Sequence, residues 1–172
     1  MSELRTNRIV PRDGLVSGTG IGGGIIQIKQ TIKKDQFTTA NTTSNYTDLT
    51  GLNVTITPTR SDSKILIECS IYNSNANAVN FFRVLRGSTF IEQPSGTSSS
   101  GANWNAHAFA YYNADNWQDS TAIEILDSPA TTSATTYKIQ MAVTSNTGTI
   151  NKFYNTSNYY GISTLTLYEV SA

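Results

Sequence analysis

The sequence predicts an all-β fold, an antiparallel jelly-roll sandwich preceded by an extended Gly-rich N-terminal arm. Only 14% of the 172 residues are charged, against about 25% in an ordinary soluble domain. Thr, Ser and Asn take their place, and these residues favour strands and turns. Apolar and polar residues alternate with a period of two in many segments, whereas no segment keeps a 3.6-residue apolar period over three turns. The pattern therefore predicts strands and no helix.

The first segment, residues 1–24, differs in composition from the rest of the chain. It has few large apolar residues and ends in the run GTGIGGG at residues 18–24. Glycine at this density loses much chain entropy on ordering, so we expect an extended arm that is ordered by contact with another protein or copy. Three of the glycines match the dinucleotide-binding pattern GxGxxG, but no strand precedes them and no helix pattern follows. We therefore predict two parts, the arm at 1–24 and a β-sandwich domain at 25–172.

The strands of the sandwich domain follow from the alternation, which begins at Ile26. Polar clusters rich in Ser, Gly, Asp and Pro separate the alternating runs and predict turns at 60–63, 86–88, 94–101 and 127–129. Pro58 ends the second run. The predicted strands are 26–33, 52–57, 65–71, 79–85, 89–92, 106–112, 121–126, 137–143 and 162–170.

Charge and hydropathy exclude several classes of partner. The 12 Lys and Arg residues balance the 12 Asp and Glu residues, and a nucleic-acid binder usually shows a basic excess, so we expect no nucleic-acid partner. No apolar stretch approaches the length of a membrane span, and the N-terminal residues contain no signal-peptide core, so no membrane insertion is expected. The single Cys69 cannot form an internal disulfide and continues an apolar strand face, which predicts a core residue.

Catalytic, cofactor and metal sites are not predicted. His107 is the only histidine, and no Cys or carboxylate pair stands at metal-ligand spacing around it, so we interpret it as a surface or interface residue. A carboxylate pair could perform glycoside hydrolysis. The acidic residues of one region carry no such motif, and we interpret them as solvated loop residues: Asp115, Asp119, Glu124 and Asp127. An enzyme is therefore the least favoured hypothesis.

Aromatic residues concentrate between positions 104 and 117. Three of them, Trp104, Tyr111 and Trp117, are candidate glycan contacts, because aromatic faces beside amides and carboxylates suit stacking on sugar rings. The alternative is that the same side chains fill the sandwich core or a subunit interface, where aromatic residues dominate contact energy. Trp104 and Trp117 flank Asn- and Asp-rich turns and are the two to test first.

Several blocks of the sequence resemble virion proteins of tailed phages that infect marine bacteria, cyanophages and their relatives especially. The main block is NYTDLTGLNVTITPT at 45–59, followed by SKILI at 63–67. The segments IIQIKQ at 25–30, FRVLRG at 82–87 and GISTLTLYE at 161–169 are similar to that family as well. The opening ELRTNRIVPRDG at 3–14 resembles the N-terminal tag of such proteins.

The resemblance implies a virion structural protein, a tail fibre or related appendage that is made in the cytoplasm of the bacterial host. It also implies a jelly roll similar to the trimeric heads of tumour necrosis factor and C1q, with the final strand near the three-fold axis. A homotrimer would dock three arms into a socket formed by other virion proteins, at the tail or portal region or on the capsid, and three copies would supply avidity. Basic and apolar residues suit such an interface, and the docking candidates are Arg5, Arg8, Ile9, Val10 and Arg12.

Two alternatives stay open at the level of sequence. One is a capsid head fibre or decoration protein with the same fold and a different socket. The other is a carbohydrate-binding module that recognises host surface glycans, alone or in addition to a structural role.

Overall fold

The computed structural model describes residues 24–42, 45–96, 105–113, 117–153 and 158–171. The predicted arm lies outside these ranges apart from Gly24, as do Trp104 and Asp115. Within them the chain forms strands and no helix, so the predicted all-β class is confirmed. The strands are β1 Ile25–Lys33, β2 Phe37–Thr39, β3 Thr47–Ile56, β4 Lys64–Ser74, β5 Val79–Arg86, β6 Thr89–Phe90, β7 Ala108–Tyr111, β8 Gln118–Asp127, β9 Thr135–Val143, β10 Gly148–Ile150 and β11 Ser163–Val170.

The strands form two sheets in which every pair of named strands is antiparallel. Sheet A has the order β1-β11-β4-β8, and the short strands β10 and β2 continue beside β4 where β11 ends. Sheet B has the order β3-β9-β5, and β6 and β7 both pair with the far edge of β5. Successive long strands often lie in different sheets, so the chain crosses repeatedly between the two layers of a sandwich.

The core lies between the sheets and is built from the predicted alternating faces. In β4, Ile65, Ile67 and Ile71 are 0% exposed, and Cys69 between them is 4% exposed. The facing strand β9 contributes Tyr137, Ile139, Met141 and Val143, all 0% exposed. Because strand side chains alternate between two faces, one run of apolar residues per strand is enough to fill this layer. The prediction that Cys69 is a core residue is confirmed, and burial raises the pKa of its thiol.

The strand boundaries differ from the prediction where the alternation is interrupted. β3 begins five residues earlier than predicted, because its pairing with β9 shifts between Asp48 and Asn53 and Gly51 lies in that shift with φ +83°. An irregular residue of this kind puts Leu49 and Leu52 on the same side, which breaks the period of two. β2 and β10 were not predicted, since three residues are too few to show a period.

The orientation of β1 is the largest departure from a half-buried strand. Its isoleucines are exposed, Ile28 by 55% and Ile32 by 49%, while the side with Lys33 faces inward and Lys33 is 2% exposed. The Lys33 ammonium forms an ion pair with Asp35 at 2.7 Å. The apolar side of this edge strand is therefore turned away from the core of its own chain.

Candidate interaction surfaces

The outer face of sheet A carries an apolar row that crosses four strands. Ile28 on β1 lies opposite Tyr168 on β11, Tyr168 opposite Leu66 on β4, and Leu66 opposite Leu126 on β8. Ile28 and Leu126, at the two edges of the sheet, are each 55% exposed. Directly opposite side chains on one face of a sheet lie in contact range. The four residues therefore form one continuous apolar band.

A polar row lies beside the apolar row on the same face. It consists of Gln30, Thr166, Glu68 and Glu124, again directly opposite one another across the four strands. Gln30 donates to the Thr166 hydroxyl at 2.8 Å. Glu68 and Glu124 are opposed like charges, an arrangement that destabilises a sheet unless something compensates it. The Tyr168 hydroxyl is hydrogen-bonded to Glu68, which raises the pKa of Tyr168.

The two glutamates line a concavity of about 360 Å³ on the outer face of sheet A. In the part of the chain that the structure describes, no group of three or more His, Cys, Asp or Glu side chains is placed to hold a metal ion.

Two of the three predicted glycan contacts can be placed, and both side chains are exposed. Tyr111 is 64% exposed on the outer side of β7 in sheet B, next to Phe109 at 68%. Trp117 is 58% exposed and precedes β8 in sheet A. Neither side chain belongs to the core, so the core alternative is wrong for both residues, and contact with a ligand or with another subunit stays a prediction. They lie on different sheets, Tyr111 on β7 of sheet B and Trp117 beside β8 of sheet A.

His107 was predicted to be a surface or interface residue, and the structure corrects that interpretation. Its ring is half-buried: Nδ1 accepts a hydrogen bond from the Val84 amide at 2.9 Å, and Nε2 donates to the Ile91 carbonyl at 2.8 Å. The Phe90 ring meets it edge-on, with centroids 4.9 Å apart. Burial lowers the pKa of the imidazole. Through these two hydrogen bonds, the neutral His107 ring links the segment before β7 to β5 and to the residue that follows β6.

Asp127 was predicted to be a solvated loop residue, and it is instead the last residue of β8 and 4% exposed. It pairs with Arg86 across the sandwich. Asp119 and Glu124 are exposed, but they lie within β8 rather than in a loop. The error arose because the acidic residue stands immediately before a turn sequence, and its partner is 41 positions away.

A pocket on the outer face of sheet B was not predicted from the sequence. The Arg83 guanidinium on β5 lies 3.9 Å from the centroid of the Tyr46 ring and 5.4 Å from that of Phe90. Its Nε donates to Gln140 Oε1 at 2.8 Å. The pocket has a volume of about 380 Å³, and Ser88, Gln93 and Asn105 complete much of its lining. The one local signal was an arginine at an outward position of the apolar run FFRVLR, and the other lining residues come from distant segments.

Tyr46 is held in place by a hydrogen bond from its hydroxyl to the Asn105 carbonyl at 3.1 Å. Burial raises the pKa of Tyr46 to about 12, although the nearby Arg83 charge lowers it. The hydroxyl therefore stays protonated at neutral pH, and the ring keeps a fixed position against the guanidinium.

Comparisons with known proteins add little beyond the architecture. No protein-family model and no curated protein matches the chain. Among solved structures, infectious bursal disease virus of the Gx strain is similar with a TM-score of 0.41 and 11% identity, over 96% of this chain and 42% of that chain. The VP2 subviral particle of the same virus gives a TM-score of 0.39 and 11% identity, over 98% and 42%. This chain thus spans less than half of those structures, and TM-scores near 0.4 support no inference about function.

A membrane-spanning helix is not found among the described residues, none of which are helical.

Proposed function

We propose that this chain is a structural subunit of a tailed-phage virion, a tail fibre or tail appendage protein whose β-sandwich assembles as a homotrimer. The observation that carries the proposal is the apolar row from Ile28 to Leu126, which is exposed in the single chain. The sequence resemblance supplies the class of particle, and the proposal includes no catalytic activity.

The strand order supports a jelly roll like that of trimeric tumour-necrosis-factor and C1q heads. Each sheet contains four main strands, β1-β11-β4-β8 in one and β3-β9-β5-β7 in the other. The first and last strands of the domain are neighbours, as expected when the chain winds twice between two sheets in Greek-key fashion. β11 lies between β1 and β4 in sheet A, and the outer face of this sheet carries the apolar row. This position of β11 agrees with a final strand near a three-fold axis.

A second and third copy of the chain are the partners that best fit the outer face of sheet A. Monomeric proteins rarely expose large contiguous apolar patches, and interfaces of permanent homo-oligomers resemble a domain core cut in half. The formal net charge is zero, so identical copies are not held apart by long-range repulsion. β1 follows the predicted arm directly, so copies that pack through β1 would bring their arms together for docking.

The test is the mass of the full-length protein by light scattering. We expect three times 18.7 kDa, and we expect Ile28→Arg and Leu126→Arg each to shift the protein to monomer, because a charge would be buried without a partner. Phe109→Arg is the matched control, because Phe109 is a large apolar residue on β7 of sheet B that is 68% exposed, and its replacement should leave the mass unchanged. A wild-type monomer would contradict the trimer and favour a decoration subunit or a binding module.

The role of the arm can be tested separately. We expect a chain without residues 1–24 to form the same folded trimer and to be lost from particles. Within the full chain, replacing the docking candidates Arg5, Arg8 and Arg12 by Ser should reduce incorporation in the same way. Incorporation of the truncated chain at normal copy number would contradict the anchor assignment. Antibody labelling at the capsid surface rather than at the tail would favour the head-fibre or decoration alternative.

A further inference from the structure

Arg83 is a cation without a carboxylate partner in the described part of the chain. The four ion pairs there join Lys33 to Asp35, Arg60 to Asp62, Arg86 to Asp127 and Lys138 to Asp48. Arg83 contributes one hydrogen bond, from Nε to Gln140, and its two terminal nitrogens have no protein acceptor among the described residues. These nitrogens are the ones that form a two-point contact with a carboxylate.

The charges around Arg83 leave it unneutralised. Asp48, an acidic residue whose charge acts on Arg83, accepts hydrogen bonds from Lys138 Nζ at 2.7 Å and Gln140 Nε2 at 2.6 Å. The Asp48 charge acts on Arg83 as well, but one carboxylate cannot balance both Lys138 and Arg83, which leaves a net positive charge. None of the residues that line the pocket in the described part of the chain is acidic.

The guanidinium is fixed before any ligand arrives. The Tyr46 ring supports one face at 3.9 Å, and Gln140 fixes Nε. Since a stacked arginine loses little further freedom when it binds, its affinity for an anion is raised relative to a free side chain. Burial lowers the pKa of Arg83, although the nearby Asp48 charge raises it.

The rest of the pocket has neutral hydrogen-bonding groups. Ser88 supplies a hydroxyl, Gln93 and Asn105 supply amides, and Phe90 supplies an apolar ring. The volume of about 380 Å³ lies within the range of about 300–1,000 Å³ that small-molecule sites occupy.

We propose that this pocket binds an acidic sugar, with the uronate carboxylate on the free terminal nitrogens of Arg83 and the ring hydroxyls on Ser88, Gln93 and Asn105. A single arginine matches the charge of one carboxylate, whereas phosphate groups are usually met by several cations or by backbone amides. Neutral amides and hydroxyls suit the hydroxyl groups of a saccharide. The proposal does not rest on the trimer, because the pocket lies on sheet B, away from the face assigned to assembly.

The experiment is an NMR titration of the full-length protein with galacturonate, galactose, acetate and sulfate. We expect galacturonate to shift the resonances of Arg83, Phe90 and Asn105 with saturation, and galactose, acetate and sulfate to bind at least tenfold more weakly. Equal shifts from acetate or sulfate would overturn the sugar assignment and leave a simple anion site. Absence of saturable shifts with galacturonate would overturn the proposal altogether.

Two variants locate the binding. Arg83→Gln should abolish the galacturonate shifts, and Lys34→Gln, which removes one positive charge from an exposed position outside the pocket, should leave them unchanged. Because Arg83→Gln also removes a packed side chain, Ser88→Trp provides a second test. Ser88 is exposed in the turn before β6 and lines the pocket. We expect an indole at this position to fill the pocket while the protein stays folded. Undiminished galacturonate binding by a folded Ser88→Trp protein would overturn the location.

Discussion

Arg86 on β5 donates two hydrogen bonds from Nη1 to the carboxylate of Asp127 on β8, at 2.8 and 2.7 Å. β5 belongs to sheet B and β8 to sheet A, so this pair joins the two layers at one end of the sandwich. The Tyr137 hydroxyl on β9 donates to the same carboxylate at 2.6 Å. Burial, together with this hydrogen bond, raises the pKa of Tyr137. These two donors from the opposite sheet, Arg86 and Tyr137, offset the free-energy cost of burying the Asp127 carboxylate.

Replacing Asp127 by Asn should destabilise the fold strongly. The substitution would leave Arg86 without a counter-charge and weaken the acceptor of the buried Tyr137 hydroxyl. Arg86 is partly exposed, with 31% of its side chain accessible, so solvent recovers some of the loss. We expect a decrease in the free energy of unfolding of about 2–3 kcal/mol, measured by urea denaturation at pH 7.

Asp62→Asn is the matched control for that measurement. The Arg60–Asp62 pair has the same N–O distance of 2.7 Å, but its side chains are 55% and 53% exposed. Exposed pairs contribute little to stability, so this variant should be indistinguishable from wild type. Equal losses for the two variants would show that burial is not what makes the Arg86–Asp127 pair important.

Glu169 on β11 is a second buried carboxylate, and it should control acid stability. It accepts hydrogen bonds from the Thr59 amide at 2.7 Å, the Thr59 hydroxyl at 2.8 Å and Gln27 Nε2 at 2.6 Å. Burial alone would raise the pKa of Glu169, but the hydrogen bonds to its charged form outweigh burial, and the pKa lies below the ordinary value of 4.5. A carboxylate with a lowered pKa stabilises the fold above its unfolded pKa, and this stabilisation is lost as the pH falls through the folded pKa.

Glu169→Gln should therefore lower stability at pH 7 and flatten its pH dependence below pH 4.5. The measurement is the urea unfolding free energy of both proteins between pH 7 and pH 3. The difference between wild type and variant should be largest at pH 7 and shrink as wild-type Glu169 becomes protonated. Profiles that run parallel down to pH 3 would mean that Glu169 titrates alike in the folded and unfolded chains.

The strands that sequence predicted well are those whose side chains alternate without interruption. β4 between Ile65 and Ile71 and β9 between Tyr137 and Val143 each have one apolar face, and the period of two is a local property that neighbours in sequence reveal. The same local pattern in β1 could not show which side faces the core. That choice depends on the register with β11, where Lys33 lies opposite Ser163 and Ile28 opposite Tyr168.

The candidate sites were mostly beyond the reach of sequence for a similar reason. The Arg83 pocket joins β5 to Tyr46 before β3 and to the segment near Asn105, and no spacing rule connects these positions. The burial of Asp127 depends on its ion pair with Arg86, and the sequence pattern places Arg86 in the predicted turn at 86–88. Whether Tyr111 and Trp117 are exposed also depends on which face of each strand packs against the other sheet. The amino-acid composition does not predict that packing.

Gly148 on β10 is a position where a single methyl group should be costly. A Cβ there would clash with Met141 Cε and would lie 2.7 Å from Asn80 Oδ1 and 2.8 Å from Val143 Cγ1. Met141 can bend away, but Asn80 is held by hydrogen bonds to Asn73 and Ser74. We expect Gly148→Ala to lower the unfolding free energy by about 1–3 kcal/mol through overpacking.

Gly96→Ala is the control for this prediction, because none of the residues that the structure describes lies within 4 Å of a Cβ at Gly96. Thermal denaturation followed by circular dichroism should show a clear decrease in Tm for Gly148→Ala and none for Gly96→Ala. An unchanged Tm for Gly148→Ala would mean that β10 shifts freely away from the core, and that its pairing with β4 contributes little to stability.

Trp117→Ala should weaken adsorption of particles to the host more than it weakens folding. The indole is 58% exposed, so its removal opens no core cavity, and such surface substitutions usually change stability by less than about 0.5 kcal/mol. Ile162→Ala is the matched control, a large apolar residue that is 57% exposed. If Trp117 contacts a glycan, Trp117→Ala particles should adsorb several times more slowly than Ile162→Ala particles, with equal Tm for the two purified proteins. A large decrease in Tm together with unchanged adsorption per folded particle would instead make Trp117 a structural residue. In that case the indole, which is exposed in the single chain, would be covered by contacts that stabilise the assembly.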